Sequence, residues 1–375
     1  MKDASKLLEK YRNGQATDKE KELLERWVHE LGGNEPVIYS EENHEQTIAR
    51  GREALKPYLK GDKKTRLWPK IAVAASIALA VATVGYFYQQ HRNKTEQQFA
   101  ANDIEPGRIA ATLTLSSGKK IYIADASKGK VAEESGVTIT KNEQGELVYG
   151  MAGGENGPGV MQTLTTYRGE TQAVVLPDGS KVWLNALSSL KYPASFASSK
   201  DRRVELTGEG YFEIEKDGAH PFIVSTDKQE VEVLGTHFNI NSYTDEMATK
   251  TTLLEGSVKV SIRNGNGNKI LEPGKQSTLL NNKLTISDVD VDDEVAWKDG
   301  FFVFSNEPLS DILKQVSRWY NVEIEYQDES LKTKKFSGSV SRYAKVSQVL
   351  RKLEFTKSVV FKIKDQKIIA ERKAN

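Results

Sequence analysis

The chain has 375 residues, a length that allows about two to four domains. Its 53 basic residues almost balance its 52 acidic ones, so the charge indicates neither a nucleic acid nor another polyanion as partner. The absence of cysteine excludes disulfides, thiolate metal ligands and cysteine nucleophiles.

Residues 1–66 are predicted to form a small domain of three amphipathic helices. The order Thr17-Asp18-Lys19-Glu20 is that of a capping box, which begins the second helix. The apolar residues of this helix share one face: Leu23, Leu24, Trp27, Val28 and Leu31. So few large apolar residues make a small core. The domain is therefore either a marginal bundle that caps a membrane anchor, or one that completes its burial on a partner.

The segment from Ile71 to Tyr88 has no charged residue and is predicted to be a membrane-spanning helix. At 1.5 Å per residue it is roughly 27 Å long, close to the ~30 Å hydrocarbon core of a bilayer. A core helix this apolar would be unusual in a chain whose mean hydropathy is −0.54. A signal peptide would lie at the N-terminus. The span with its flanks occupies residues 67–90.

The charges on either side of the span predict its orientation. Five basic residues precede it closely: Lys60, Lys63, Lys64, Arg66 and Lys70. Only Arg92 and Lys94 lie close on the other side. The positive-inside rule therefore predicts that residues 1–66 are cytoplasmic and that the rest is exported.

Strand patterns dominate the exported part after a polar linker, residues 91–107. They predict an all-β domain over residues 108–290, with its core in 165–262. Residues 115–123 and 176–184 have similar sequences with a turn glycine in register, which predicts two related hairpins. Residues 150–159 are predicted to be a loop, because their glycines do not open a helix as a phosphate-binding loop requires.

Residues 295–375 alternate strand and helix patterns and predict an α+β domain of the split βαβ kind. The first helix is predicted over Pro308 to Tyr320. The two helices have apolar stripes, which are Leu309, Ile312, Leu313 and Val316 in the first, and Val346, Val349, Leu350 and Leu353 in the second. The predicted fold class is thus multidomain: an all-α head, one membrane helix, an all-β domain and an α+β domain.

Three stretches carry a resemblance to a known family. They are residues 176–214 (LPDGSKVWLNALSSLKYPASF with RRVELTGEGYFEI), 221–243 (PFIV with VEVLGTHFNINSY) and 296–326 (AWKDGFFVFSNEPLSDILKQVSRWYNVEIEY). They resemble the FecR family of transmembrane anti-sigma regulators, in the branch paired with SusC-like outer-membrane transporters. The likeness runs over most of residues 1–31 and 165–375, whereas residues 99–160 match the family pattern poorly.

The resemblance implies a signalling relay in the bacterial inner membrane, with one span, a cytoplasmic N-terminus and a periplasmic C-terminus. The head would sequester an extracytoplasmic-function (ECF) sigma factor through the helix face named above. The β domain would be the periplasmic FecR domain. The last domain resembles the short N-terminal module of secretins and TonB-dependent transducers, and would contact the signalling domain of a SusC-like TonB-dependent transporter. Regulated intramembrane proteases would then release the sigma factor.

The resemblance also implies one chemical site. Some FecR-like proteins cleave themselves at a Gly-Thr bond by an N–O acyl shift, and Gly235-Thr236 is the matching dipeptide. The reaction needs a hydroxyl beside the scissile carbonyl, a glycine without Cβ crowding and a strained peptide. His237 could act as the base. The alternative is an ordinary Gly-Thr turn or bulge.

Two other functions remain open from the residues alone. A membrane-anchored periplasmic scaffold or glycan-binding protein could use a platform of aromatic side chains: Trp183, Tyr211, Phe212 and Trp319. An enzyme is disfavoured because the histidines lack metal-ligand spacing and no GxSxG motif occurs. Glu209, Glu213 and Glu215 alternate along a strand, so we expect them mostly to face solvent. The predictions are therefore no enzyme apart from self-cleavage, no cofactor, no metal and no nucleic acid.

Overall fold

The computed structural model describes residues 103–134, 136–151, 160–197 and 199–373, together with residues 10, 13, 15, 17–21 and 83. Within these residues the chain is mostly β-sheet with few helices, as predicted. No helix in these ranges is long and apolar enough to cross a membrane. Two predictions lie outside the described residues: the head's apolar face (Leu23, Leu24, Trp27, Val28, Leu31) and, apart from Thr83, the span from Ile71 to Tyr88.

The chain divides into two compact units, Met1–Gly85 and Tyr86–Asn375. In the first unit, residues 18–21 are helical. The Thr17 N–H and hydroxyl both donate to Glu20 Oε2, at 2.9 and 2.8 Å, and Lys10 Nζ lies 2.9 Å from Glu20 Oε1. The backbone bond from Thr17 and the Lys10 ammonium lower the pKa of Glu20 to about 2. The capping box is thus confirmed in the half formed by the Glu20 carboxylate.

Residues 108–288 form two β-sheets, which we call the β domain, with strands numbered in chain order. The first sheet has the spatial order β3 (Lys120–Tyr122), β2 (Thr112–Thr114), β7 (Met161–Thr166), β10 (Ser188–Pro193), β11 (Arg202–Glu213), β12 (Phe222–Ser225), β13 (Gln229–Val233), β16 (Val258–Ile262) and β17 (Asn268–Leu271). The second has the order β4 (Gly129–Glu134), β5 (Val137–Lys141), β6 (Leu147–Met151), β8 (Glu170–Val175), β9 (Lys181–Leu184), β11, β14 (His237–Ser242), β15 (Thr249–Glu255), β18 (Lys275–Leu280) and β19 (Lys283–Asp288). Strand β1 (Arg108–Ile109) pairs in parallel with the start of β8.

Strand β11 belongs to both sheets. Its first half pairs with β10 and β12, and its second half, from Gly208 onward, pairs with β9 and β14. Gly208 has φ +87°, and a Cβ there would lie 2.4 Å from Ser188 Oγ, so only glycine fits this bend. One hydrophobic core combines residues of both sheets, which therefore pack face to face: Leu113, Leu164 and Leu190 with Val182, Phe212 and Phe238.

The two related hairpins are confirmed. In each, the amide of a turn glycine donates to the carbonyl of a leucine three residues earlier: Gly118 to Leu115 at 2.9 Å and Gly179 to Leu176 at 3.0 Å. Both glycines have positive φ, as the turn requires. The loop predicted over residues 150–159 is wrong at its start, because β6 extends to Met151 and pairs Gly150 with Thr138. Residues 152–159 lie outside the described ranges.

Residues 291–373 form what we call the C-terminal domain. Its elements are α1 (Val291–Val295), β20 (Phe301–Pro308), α2 (Leu309–Tyr320), β21 (Glu323–Tyr326), a 3-10 helix (Glu329–Thr333), β22 (Lys335–Ser341), α3 (Val346–Glu354), β23 (Val359–Lys364) and β24 (Lys367–Arg372). Strands β20 and β22 form one antiparallel pair, and β24 lies between β21 and β23.

Both helices of the C-terminal domain bury their predicted stripes in one core. All eight stripe residues are buried: Leu309, Ile312, Leu313, Val316, Val346, Val349, Leu350 and Leu353. The first helix begins at Leu309 rather than Pro308, because Pro308 is the N-cap residue and has an extended backbone.

Candidate functional site: the seam between two domains

The β domain and the C-terminal domain meet along a polar contact that we call the seam. It centres on two buried arginines of the C-terminal domain, Arg318 of α2 and Arg342 after β22. Buried arginines require partners, because an ionised group without hydrogen bonds is costly to remove from water. Both find them on the β domain.

Arg318 lies on the face of α2 opposite to its apolar stripe. Its Nη2 atom is 2.8 Å from Asp245 Oδ1 and 2.6 Å from Glu246 Oε1. Its guanidinium carbon stacks 3.8 Å from the centre of the Tyr243 ring. Lys314, one turn earlier, also reaches Glu246, at 2.9 Å. The helix is therefore buried on two faces, one in its own domain and one on the β domain.

Arg342 closes a ring of hydrogen bonds across the seam. Its Nη2 donates to Asn185 Oδ1 at 2.8 Å, and Asn185 Nδ2 donates to Glu209 Oε2 at 2.7 Å. Asn239 Nδ2 donates to Glu209 Oε1 at 3.0 Å, and the Trp297 indole donates to Asn239 Oδ1 at 3.3 Å. Arg342 Nη1 donates to the Trp297 carbonyl at 2.8 Å and completes the ring. Each member holds its neighbour in one orientation.

The charged groups of the ring are buried away from water, and burial shifts their pKa values. Burial raises the pKa of Glu209, although the Asn239 and Asn185 amides favour its charged form. Burial likewise lowers the pKa of Arg342, to about 10. The Arg342 guanidinium also stacks on Trp319, 4.1 Å from the ring centre. The ring is thus held by directional hydrogen bonds and stacking, and Arg342 reaches Glu209 through the Asn185 amide rather than as a direct ion pair.

The prediction that Glu209 faces solvent is wrong. Glu209 is only 7% exposed, whereas Glu213 is half-buried and Glu215 is exposed. The alternation that would expose Glu209 holds only up to Gly208, where β11 changes sheets. Beyond this bend both faces of the strand are covered, so the period-two rule for a half-buried strand no longer applies.

Two family models match the chain, one after the other along the sequence. Residues 162–259 match the model described as FecR protein, and residues 301–370 match the model described as FecR, C-terminal. The chain belongs to the FecR family. Its two matched regions are the two partners of the seam.

Solved structures support this assignment. A crystal structure at 1.65 Å of a candidate anti-sigma factor from Parabacteroides distasonis ATCC 8503 is 27% identical, with a TM-score of 0.53. The match covers 56% of this chain and 99% of the chain in the crystal structure. A second crystal structure of the same description, at 2.50 Å, is also 27% identical with a TM-score of 0.53, and covers 57% of this chain and 100% of that chain. No curated protein matches the chain.

The FecR-family protein does not form the predicted aromatic platform. Phe212 is buried and stacks on Phe238 at 5.0 Å, while Trp319 is buried and donates to the Arg342 carbonyl at 2.7 Å. Tyr211 is also buried, and it packs against Trp183. The four side chains form no shared exposed surface, because Phe212 belongs to the core of the β domain and Trp319, on helix α2, belongs to the core of the C-terminal domain. Trp183 and Trp319 nevertheless line one cleft of about 180 Å³ at the seam.

The Gly235–Thr236 bond directly precedes β14, whose pairing with β15 has a bulge between His237 and Phe238. Gly235 has φ +153°, and a Cβ there would lie 2.4 Å from Lys216 Cγ. The Thr236 side chain is buried and its hydroxyl donates to the Ser257 carbonyl at 3.2 Å. Gly256 approaches so closely that a Cβ on it would lie 2.9 Å from Thr236 Oγ1. The site has the hydroxyl and the glycine that the acyl shift requires, and an ordinary bulge has them too.

His237 is partly exposed beside this bond. Its Nδ1 lies 3.6 Å from a Glu255 carboxylate oxygen across the strand pair. Self-cleavage therefore stays a prediction.

Sequence reasoning missed the seam itself: Asn185, Asn239, Trp297, Arg318 and Arg342. One signal was available in the sequence. Arg318, on the polar face of α2, is a cation directly followed by two aromatic residues, Trp319 and Tyr320. The partners of Arg342 come from three distant segments, which no local pattern could connect. In the described ranges no group of three or more His, Asp and Glu side chains could hold a metal ion.

Proposed function

We propose that this FecR-family protein is a membrane-anchored anti-sigma factor. The observation that supports it is the match of both FecR models, in order, together with a candidate anti-sigma factor whose whole solved chain aligns at 27% identity. In this proposal residues 1–66 bind an ECF sigma factor in the cytoplasm, and residues 71–88 cross the inner membrane once. The β domain and the C-terminal domain lie in the periplasm.

The signal is proposed to enter through the C-terminal domain. A SusC-like TonB-dependent transporter would present its signalling domain there, and regulated intramembrane proteases would then free the sigma factor. The seam suits such a relay because its contacts are polar. Buried charges stabilise an interface weakly in net terms but define one orientation. A partner of the C-terminal domain can therefore compete with the seam at modest cost.

The head is proposed to hold the sigma factor over most of its surface. Burial of a Leu or Trp side chain contributes about 1.5–3 kcal/mol, whereas association costs an estimated 4–15 kcal/mol. One helix face cannot meet this cost alone. We therefore expect the face of Leu23, Leu24, Trp27, Val28 and Leu31 to be the centre of a larger contact.

Co-purification tests the proposal. Full-length protein and the sigma factor encoded beside it are co-expressed, and the complex is captured through a tag on the anti-sigma chain. Leu23→Asp and Trp27→Ala should each weaken the binding by more than about tenfold, because each removes an apolar group from the centre of the proposed contact. Lys19→Ala is the matched control on the exposed side of the same helix and should bind as the wild type does. Absence of any sigma factor in the wild-type capture would overturn the proposal.

A further inference from the structure

Residues 103–109, which we call the strap, touch both domains of the seam. The strap comprises the last residues of the predicted linker and the first strand of the β domain, β1. Its first half binds the C-terminal domain and its second half binds the β domain.

The first half of the strap completes helix α3. Asp103 Oδ1 accepts from the Ser347 N–H at 3.1 Å, and Asp103 Oδ2 accepts from the Ser347 hydroxyl at 2.7 Å. The Val346 N–H donates to the Ile104 carbonyl at 3.0 Å. Lys345, the N-cap residue of α3, makes no side-chain capping bond. The strap therefore supplies the acceptors that the helix's own sequence lacks.

Ile104 adds an apolar anchor to these bonds. Its side chain is 9% exposed and belongs to the core of the C-terminal domain. Removal of a buried isoleucine from such a core is unfavourable. The anchor therefore keeps the start of the strap on the C-terminal domain.

The second half of the strap is held where three segments meet. The Arg108 N–H donates to the Gly169 carbonyl at 2.8 Å, and the Gly169 N–H donates to the Arg318 carbonyl at 2.8 Å. Gly107 packs against the Trp319 ring so closely that a Cβ would lie 2.7 Å from it. Strap, β domain and α2 thus share one hydrogen-bonded junction.

The strap has little structure of its own. Its strand β1 has two residues, and these pair only with the start of β8. A two-residue strand does not persist without tertiary support. A separation of the two domains beyond the reach of the chain between Asp103 and Arg108 would cost the strap its Ser347 partner or its Gly169 partner. Part of it must then become unpaired, extended chain, which is the form of backbone that endoproteases bind.

We propose that the strap is a latch: docking of the C-terminal domain on the β domain keeps residues 103–109 folded, and undocking exposes them to an endoprotease. Cleavage there would separate both exported domains from the predicted span. The order of events rests on the proposed function, whereas the coupling between docking and exposure does not.

Hydrogen exchange on the full-length protein in lipid nanodiscs tests the coupling. In Asp103→Ala, the amides of Ser347 and Arg108 should both exchange roughly five- to tenfold faster, because the loss of one helix cap destabilises both ends of the strap. Asp103→Asn should restore protection, because asparagine caps as well as aspartate. Glu105→Ala, which removes only an exposed ion pair with Lys345, should resemble the wild type. Faster exchange at Ser347 with an unchanged Arg108 amide would overturn the latch.

A crosslink tests the exposure. Because the chain has no cysteine, Asp103→Cys with Ser347→Cys introduces one defined pair at side chains already in contact. A broad-specificity protease should cut Arg318→Ala within residues 103–109 before it cuts elsewhere. Oxidation of the cysteine pair in that background should slow this cut at least tenfold, and reduction should restore it.

Two outcomes contradict the proposal. One is an equal cleavage rate in the oxidised and reduced forms, and the other is first cleavage outside the strap. Neither readout involves a sigma factor, so failure of the latch is distinguishable from failure of the anti-sigma function.

Discussion

At the scale of single residues, Thr236 carries the one chemical prediction. If the acyl shift occurs, wild-type protein should appear on a blot as two fragments divided at Gly235–Thr236. Thr236→Ala should give one full-length band, because its side chain has no nucleophile. Thr236→Ser keeps a hydroxyl at the same position and should restore the two fragments. A single full-length band in the wild type, matching that of Thr236→Ala, would remove the prediction.

Glu307 of β20 carries a prediction about pH. Burial raises its pKa from 4.5 to about 7, although nearby Lys250 and the amide of Gln315 favour the charged form. Between those two values the folded state binds more protons than the unfolded state, so stability falls as pH rises from about 4.5 to 7. The loss should be about 1–3 kcal/mol, since the side chain is only partly buried.

Denaturant unfolding at pH 5 and pH 8 measures this effect. Glu307→Gln should flatten the pH dependence across that window and be the more stable protein at pH 8. Glu272→Gln is the matched control at an exposed position and should leave the slope unchanged. An equal change in stability between pH 5 and pH 8 in the wild type and in both variants would contradict the assignment to Glu307.

At the scale of elements, the β8–β9 hairpin depends on a buried ion pair. Asp178, in the turn, lies 2.8 Å from Arg202 Nη1 at the start of β11, and both side chains are almost fully buried. Removal of one partner leaves the other uncompensated, so Arg202→Ala should cost about 3–5 kcal/mol of unfolding free energy. Arg203→Ala, the adjacent residue with exposed ion pairs, should cost about 0–1 kcal/mol. Equal costs for the two variants would show that the hairpin does not need the pair.

Some features of the helices and strands could be predicted from the sequence and others could not. The stripes of α2 and α3 and the two hairpins were predictable, because helical period and turn glycines are local signals. The burial of Glu209 was not, because it depends on the bend at Gly208, which is visible only once β11 is paired in two sheets. Arg318 was missed for a related reason: a helix pattern predicts the buried stripe and assumes that the opposite face meets water.

At the scale of the whole unit from Tyr86 to Asn375, Arg318 links the C-terminal domain to the β domain. Its guanidinium bonds Asp245 and Glu246 of the β domain and takes no part in the C-terminal core. Arg318→Ala should therefore leave both domains folded while it weakens their docking by about 1–3 kcal/mol, a range reduced because Asp245 is half exposed. Small-angle scattering should show a larger radius of gyration, and the Gly169 amide should lose protection.

Lys332→Ala is the control for this measurement, because the two contacts of Lys332, the exposed Glu329 and the Tyr326 ring, lie in its own domain. It should keep the wild-type radius and the wild-type protection of Gly169. Unfolding of the C-terminal domain in Arg318→Ala would mean that the arginine stabilises the fold rather than the docking. If only the docking changes, a partner that engages the C-terminal domain has a defined contact to displace, and the seam is the element through which the proposed signal would pass from the C-terminal domain to the β domain.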